Sequence, residues 1–373
     1  MMELSAEDNL RLNVLLVQKL QAVRIDESKM TVHALTEKGE AKVVLNPNCK
    51  DEKYLKEVKA LFSTHVMGSP GGYPVFLKRW TRMGQARDES LQQLLLLGEP
   101  EAVVAAVHAP GLSDEQAERA WWIMPTADNA RRMLEKEAVV QGKTGPVLAE
   151  FLIEFLPFEE DPHVMIDSVR LVLQSGLISE EEKLKLWAKA KTKRNLYVGF
   201  MHALPDDIPV EISSNDSYDS LMDRLQLLLA DENPYALMLS RILSERGQAF
   251  VQTAEIALKK PGNQQVVESL LNAIAAYFEA IKPDAFTADD IELICSEAGC
   301  ICEVPEDETL KTVLNVVPEM KEMIQAMLVL SCLSVKLINP VFSQTDAIGT
   351  MMRKKIKHIT DPIAEQLKVL SGK

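Results

Sequence analysis

Apolar residues recur along most of this chain at the three- and four-residue spacing that lines one face of a helix. Between residues 5 and 24, Leu10, Val14, Val17 and Leu20 share such a face, which predicts an opening helix. Two short stretches depart from the rule. Met30–Leu35 and Ala41–Leu45 are β-prone and flank a turn containing Gly39, the one good hairpin signal of the sequence. Pro47 ends the second strand, because proline has no N–H to give to a ladder. Asp51 to His65 returns to helical spacing, with Leu55, Val58 and Phe62 on one side.

GSPGGYP at 68–74 is a strong breaker, and a unit boundary is placed near it. Helical segments then run from Val75 to about Phe200, punctuated at regular intervals by Gly and Pro. Short helices between short turns predict stacked antiparallel pairs. GLSDEQAERAW (111–121) echoes GLISEEEKLKLW (176–187). In each, a serine starts a helix with Gln or Glu three residues on (Ser113 with Gln116, Ser179 with Glu182), a capping box. The echo fits a HEAT- or armadillo-like stack, and it equally fits two ordinary capped helices.

LPDDIPVEISSNDSYD (204–219) is polar and poor in apolar residues, and reads as a linker. Beyond it, helical patterns cover 219–230, 235–259, 263–281, 287–298, 306–316, 318–338 and 344–370, with Thr287 as cap of the fourth. The expected fold is mainly α, with stacked helical hairpins, a small N-terminal β-hairpin and a C-terminal helical bundle. Three units are expected: 1–67, 68–205 and 206–373.

Composition supports this outline and narrows function. Aromatics are 5% of 373 residues, too few for large sheets. The net charge of −14 repels phosphate backbones and disfavours global nucleic-acid binding. The five cysteines are odd in number and scattered, unlike a secreted disulfide scaffold. MMELSAEDNLRL carries acids where a signal peptide needs bases. The most apolar window, Met323 to Val335, falls short of the roughly 18 residues of a membrane span. The expected compartment is the cytoplasm, with no membrane span.

Few residues are arranged for chemistry. Cys295, Cys300 and Cys302 lack zinc-type spacing and a nearby His. Cys295 shares a helical face with Ile291, Ile294 and Ala298, so it is expected to be buried and unreactive. The sharper alternative makes Cys300 and Cys302 a surface thiol pair. The six histidines are isolated, and no nucleophile elbow, phosphate loop or dinucleotide fingerprint is present. No catalytic residue, cofactor or metal site is therefore assigned.

Two basic-aromatic stretches reverse the sign of the chain locally: KRWTRMGQAR (78–87) and KLKLWAKAKTKRNLY (183–197). Each reads either as a grip for an anionic partner or as a solvated helix face with its Trp turned inward. RKKIKH (353–358) is a third patch, explained by cations near a helix end. Adjacent Trp121 and Trp122 point in different directions, so their helix is buried on two sides or presents a Trp to a partner.

GGYPVFLKRWTRMGQARDESLQQLLLLGEPEAVVAAVHAPGL (71–112), AWWIMPTADNARRMLE (120–135) and VLAEFLIEFLPFEEDPHVMIDSVRLVL (147–173) resemble the DsrS-type proteins. These are encoded with the reverse dissimilatory sulfite reductase system of sulfur-oxidising bacteria. The resemblance is densest over residues 71–200. It implies a cytoplasmic setting in the oxidation of stored sulfur, and it carries no catalytic residue over. The scattered cysteines lack the adjacent reactive pair expected of a sulfur carrier.

The reading is a non-catalytic adaptor or regulatory protein of cytoplasmic sulfur oxidation, partnered by a protein of that system. Its candidate contacts are Lys78, Arg79, Arg82, Arg87, Trp121 and Trp122. The alternatives are a thiol-dependent sulfur-handling enzyme or carrier, and a nucleic-acid-binding regulator. Clustered cations repel one another by about 0.2–0.5 kcal/mol per pair, which suggests an anionic partner for 78–87. Lys78→Glu combined with Arg82→Glu is expected to abolish capture of a partner from sulfur-grown cells at unchanged melting temperature. Binding that survives with the fold intact would reduce the cluster to a solvated face.

Overall fold

The computed structural model describes residues 4–74, 88–284, 288, 290–344 and 347–372. The chain is mainly helical with a small antiparallel sheet, and it forms two compact units. One is Met1–Phe155 with Ser175–Leu177, and the other is Leu156–Gln174 with Ile178–Lys373. The boundary expected at 67/68 thus falls inside the first unit, and that at 205/206 inside the second.

The first unit opens with α1 (Ala6–Leu16), whose N-cap Ser5 accepts a hydrogen bond from the Asp8 amide. Helix α1 buries Leu12, Leu15 and Leu16, while Leu10, Val14 and Val17 are 67%, 57% and 86% exposed. The helical face expected from residues 10 to 20 is therefore wrong. The chain leaves the helix at Leu16 and Leu20 starts a strand, β1 (Leu20–Asp26). Strands β2 (Thr31–Thr36) and β3 (Gly39–Val44) complete a sheet in the order β1-β2-β3. The expected hairpin is present, with Thr36 opposite Gly39. Gly39 takes φ 114°, a backbone region that side chains oppose. A lone hairpin is marginal in water, and the third strand with its apolar face gives the sheet something to pack on.

Helix α2 (Asp51–Met67) buries Leu55, Val58 and Phe62, as its spacing requires. A buried polar lock joins it to α1. Asp8 Oδ2 accepts from the Tyr54 hydroxyl at 2.5 Å and from the Asn46 amide at 2.7 Å. The sheet continues into the helices that follow, since the Val23 amide donates to the Leu95 carbonyl at 3.0 Å.

Those helices are α3 (Asp88–Leu94), α4 (Pro100–His108), α5 (Asp114–Ile123), α6 (Ala127–Leu134), α7 (Glu137–Val140) and α8 (Thr144–Phe155). Helix α5 lies between β1 and α8. Asp114 in its first turn accepts from the Lys143 and Thr144 amides at 2.9 and 3.0 Å. Gly142 is needed there, because a Cβ would stand 2.1 Å from the Asp114 carboxyl carbon. Helix α5 ends before Pro125, and Thr126 caps α6 by accepting from the Asn129 amide.

The second unit holds α9 (Pro162–Val172), α10 (Glu180–Ala190), α11 (Asn195–Ala203), α12 (Tyr218–Ala230), α13 (Pro234–Leu243) and α14 (Glu245–Leu258). It continues with α15 (Gln264–Tyr277), α16 (Ile291–Glu303), α17 (Glu308–Val316), α18 (Lys321–Ser331) and α19 (Asn339–Phe342). It closes with α20 (Gly349–Lys355) and α21 (Lys357–Ser371). Both expected capping boxes form, at Ser113 in α5 and at Ser179 in α10. The two echoing helices stand one in each unit.

Three details differ from the sequence reading. The continuous helix expected over 235–259 breaks at Ser244, whose hydroxyl caps α14 by accepting from Gly247 N. The cap of α16 is Asp290, while Thr287 lies outside the described residues. Residues 204–217 are irregular but tied down, so they are not a linker. Asp206 grips Arg241 through both oxygens at 2.8 and 2.7 Å, and the Asn215 amide donates to the Leu243 carbonyl at 2.9 Å. Part of their polar composition is met by partners within the unit.

His202 on α11 donates from Nε2 to the Ser269 carbonyl on α15 at 2.9 Å. Burial pushes its pKa below 6.5, against the Ser269 bond, which favours the charged form. The folded chain therefore resists a proton that the unfolded chain accepts. This contribution to stability is present above pH 6.5 and is lost as pH falls below it. Urea titrations between pH 7.5 and 5 are expected to show falling stability, with the slope reduced in His202→Gln. An unchanged slope in that variant would contradict the assignment.

Candidate functional site: a basic cleft on the C-terminal helices

Helix α21 buries Ile359, Ile363, Leu367 and Leu370, a stripe at helical spacing packed on α14 and α18. One step round the same helix lie Lys357, Asp361, Ala364 and Lys368, also at helical spacing. They form one wall of a cleft of about 430 Å³ within the second unit. Helix α20 buries Met352 and turns Thr350, Arg353 and Lys354 into the cleft. The end of α14 supplies Glu255, Leu258 and Lys259, and Pro261 follows in the turn. The Gly349 amide donates to the Gly262 carbonyl at 3.0 Å, which fixes the start of α20 against that turn.

The lining divides by chemistry. Beneath the cleft lie Leu258, Pro261 and Ile356, all buried, with Ala364 half-buried. Above them stand five cations, Lys259, Arg353, Lys354, Lys357 and Lys368, against the carboxylates Glu255 and Asp361. The whole chain carries −14, so this is a local inversion of sign. Low-dielectric walls focus such a field on an anion entering the cleft.

Arg353 is held in place by neutral acceptors. One Nη donates to the Pro261 carbonyl at 3.3 Å and the other to the Thr350 hydroxyl at 2.8 Å. Among the described residues Arg353, Lys259, Lys354 and Lys368 have no carboxylate within ion-pair distance. Lys357 meets only Asp361, at 3.7 Å across exposed side chains, a contact worth little in water. Glu255 carries a buried Oε1 that receives no hydrogen bond. An arginine fixed by neutral acceptors but without a carboxylate is an arrangement that an anion would complete.

The sequence candidates fall elsewhere. Lys78, Arg79, Arg82 and Arg87 lie outside the described residues. Trp121 and Trp122 are both half-buried in the first unit. Trp121 sets its edge on Phe151, ring centres 4.8 Å apart. Trp122 lies under the Arg24 guanidinium at 5.0 Å, and its carbonyl accepts from Arg24 at 3.4 Å. The helix is thus buried on two sides, one of the two arrangements the sequence allowed.

The stretch 183–197 is partly neutralised inside the protein. The Lys183 side chain is 11% exposed and bonds Glu180 at 2.7 Å and Asp207 at 2.8 Å. Burial lowers its pKa, but these two carboxylates outweigh burial and raise it. Trp187 packs inward on Tyr197 and Phe200. RKKIKH spans the junction of two helices, so the stretch alone does not mark the cleft. Its Arg353, Lys354 and Lys355 do close α20, but Lys357 opens a second helix, where a cation opposes the dipole.

The thiols also differ from expectation. The buried face of α16 is Ile291, Ile294, Ala298 and Cys302, and Cys295 is only half-buried. Cys300 is exposed and Cys302 is buried, so they do not form a surface pair. Two positions apart on a helix, they point away from each other. Among the described residues no group of three or more His, Cys, Asp or Glu is placed to hold a metal ion. No described helix is long and apolar enough to cross a membrane.

Burial pushes the Cys302 thiol up to about 11 and raises Cys295 and Cys332 as well. Brief maleimide treatment of the native protein at neutral pH is expected to label Cys300 ahead of these three. Peptide masses that show a Cys302 adduct forming as fast would contradict the arrangement.

No family model, curated protein or solved structure matches this chain.

Proposed function

We propose that this chain is a non-catalytic adaptor or regulatory protein that works by binding an anionic ligand or partner at the cleft between α14, α20 and α21. The observation that carries this reading is a set of cations, most of them without an ion pair among the described residues, gathered in one cleft of a strongly acidic chain. The Arg and Lys side chains of the cleft are suited to holding charge. The resemblance to DsrS-type proteins supplies the setting: the cytoplasm, and the oxidation of stored sulfur. A protein of the sulfite reductase system is the expected partner, with residues 78–87 as a second basic contact.

The thiol reading is weaker. Cys300 opens on a different cleft, lined by Glu303, Glu306 and Asp307, whose field repels anionic sulfur species.

The test is affinity capture from lysate of sulfur-grown cells on immobilised protein, with bound proteins identified by mass spectrometry. Wild type is expected to retain a component of the sulfite reductase system. Arg353→Glu with Lys354→Glu is expected to lose it at unchanged melting temperature. Retention of that component by the folded variant, or no such component on wild type, would overturn the reading.

A further inference from the structure

Strand β3 pairs with β2 on one side and, among the described residues, with no strand on the other. The Leu45 amide donates to the Met30 carbonyl at 2.8 Å. Those two residues therefore form a hydrogen-bonded pair, and Val43, Ala41 and Gly39 repeat it by the period of two. Their N–H and C=O groups point at β2. Those of Glu40, Lys42, Val44 and Asn46 point the other way, in the plane of the sheet. The Asn46 amide is taken, since it donates to Asp8 Oδ2 of α1 at 2.7 Å. Glu40, Lys42 and Val44 are exposed, and they make a free edge that stops where α1 begins.

A free edge takes another strand through its backbone, and the side chains choose which. A second β3, antiparallel and related by a two-fold axis, has few registers open to it. Glu40 opposite Glu40, or Lys42 opposite Lys42, sets like charges together and destabilises the pair. Lys42 opposite Val44 brings Glu40 against Asn46, whose amide is already bonded to Asp8. The remaining register centres on Ala41 and places Glu40 of each copy opposite Lys42 of the other. The β2–β3 turn of one copy then comes level with Val44 of the other, so the added strand stops short of α1.

The side chains are free to make these pairs. Glu40 reaches His33 at 3.0 Å and Arg24 at 3.9 Å, both through Oε1, which leaves Oε2 open. Lys42 has no carboxylate within ion-pair distance among the described residues. Charges on an edge strand guard it against pairing; here they refuse the neighbouring registers and admit one.

We infer that β3 is the contact surface for a second copy of this chain, which joins two three-stranded sheets into one. This surface belongs to the first unit, and the basic cleft to the second. A short edge makes a small interface, so the dimer is reversible and forms as concentration rises.

The test is sedimentation equilibrium of the full chain from micromolar to sub-millimolar concentration. Wild type is expected to pass from monomer to dimer. Lys42→Glu and Glu40→Lys, each alone, set like charges across the axis and are expected to weaken the dimer at least roughly fivefold. Mixing the two variants is expected to restore it, because both cross-strand pairs are then opposite in charge. Lys42→Pro removes an N–H that β2 does not use, a change that an edge strand tolerates. It is expected to abolish the dimer at unchanged melting temperature. Should Lys42→Pro unfold, the mixture of the two charge variants, each shown to be folded alone by circular dichroism, decides instead.

A monomer at every concentration would overturn the inference and leave the edge to an extended segment of another protein. So would a dimer that Lys42→Glu leaves as tight, or a mixture of folded charge variants no tighter than its components.

Discussion

Every described helix of this chain is short. The longest described helix has 17 residues and several have fewer than ten, whereas an isolated helix below about 12–15 residues is marginal in water. No element stands alone, so each must bury an apolar face and close its own ends. The sequence does both. Ser5, Thr126, Asp161, Asn233, Asn263 and Asp307 each accept a backbone N–H at a helix start, and a cap of this kind contributes about 0.5–2 kcal/mol. Between caps, the apolar stripes meet: α9 on α11, α14 on α21, α18 on α21. Stacking follows from helix length, and function is confined to surfaces left over when the stripes are paired.

The same economy governs charge. A −14 chain has more carboxylates than cations, and the described part uses them to neutralise its own arginines and lysines. Arg241 shows the pattern at its strongest. Asp206 holds its guanidinium through both oxygens, the Tyr277 carbonyl accepts at 2.9 Å, and the Tyr277 ring lies 3.8 Å below. Burial lowers its pKa, and Asp206 more than compensates. Phe250 stacks on the far side of the cluster against Tyr277, ring centres 3.9 Å apart. A loop that looked like a linker is thereby strapped to α13 and α15. Against this background a group of cations without acids carries information, because the chain had acids to give.

Legibility followed range in the sequence. Capping boxes at Ser113 and Ser179, the Gly39 turn and the buried face of α2 are decided within a few residues, and local reading found them. Strand β1 was missed because Leu10, Val14, Val17 and Leu20 satisfy a helical period by coincidence. Three of those four are exposed, and the buried set is Leu12, Leu15 and Leu16. On α16 the expected face shares Ile291, Ile294 and Ala298 with the buried one, but it is Cys302, two turns on from the half-buried Cys295, that is the buried thiol. The cleft needed α14, α20 and α21 together, about a hundred residues from end to end. Nothing local in Glu255 or Lys259 announces that they line a cleft with Arg353.

The cleft also sits where binding can be felt. Pro362 lies inside α21 and has no N–H for the carbonyl four residues earlier, that of His358. The first turn of α21 is therefore short of one helical bond, and α20 before it has only seven residues. Both are held by side chains, Met352 below α20 and Ile359 with Ile363 below α21. Arg353 and Lys357, four residues apart, repel across the junction at Ile356. On the proposed reading, an anion held between them would reverse the sign of that interaction and draw the two helices onto one ligand. Because it binds only the folded arrangement, it stabilises this junction in proportion to the logarithm of its concentration over Kd. A junction weak in backbone bonds and rich in unpaired charge would gain more from such a ligand than a fully bonded helix.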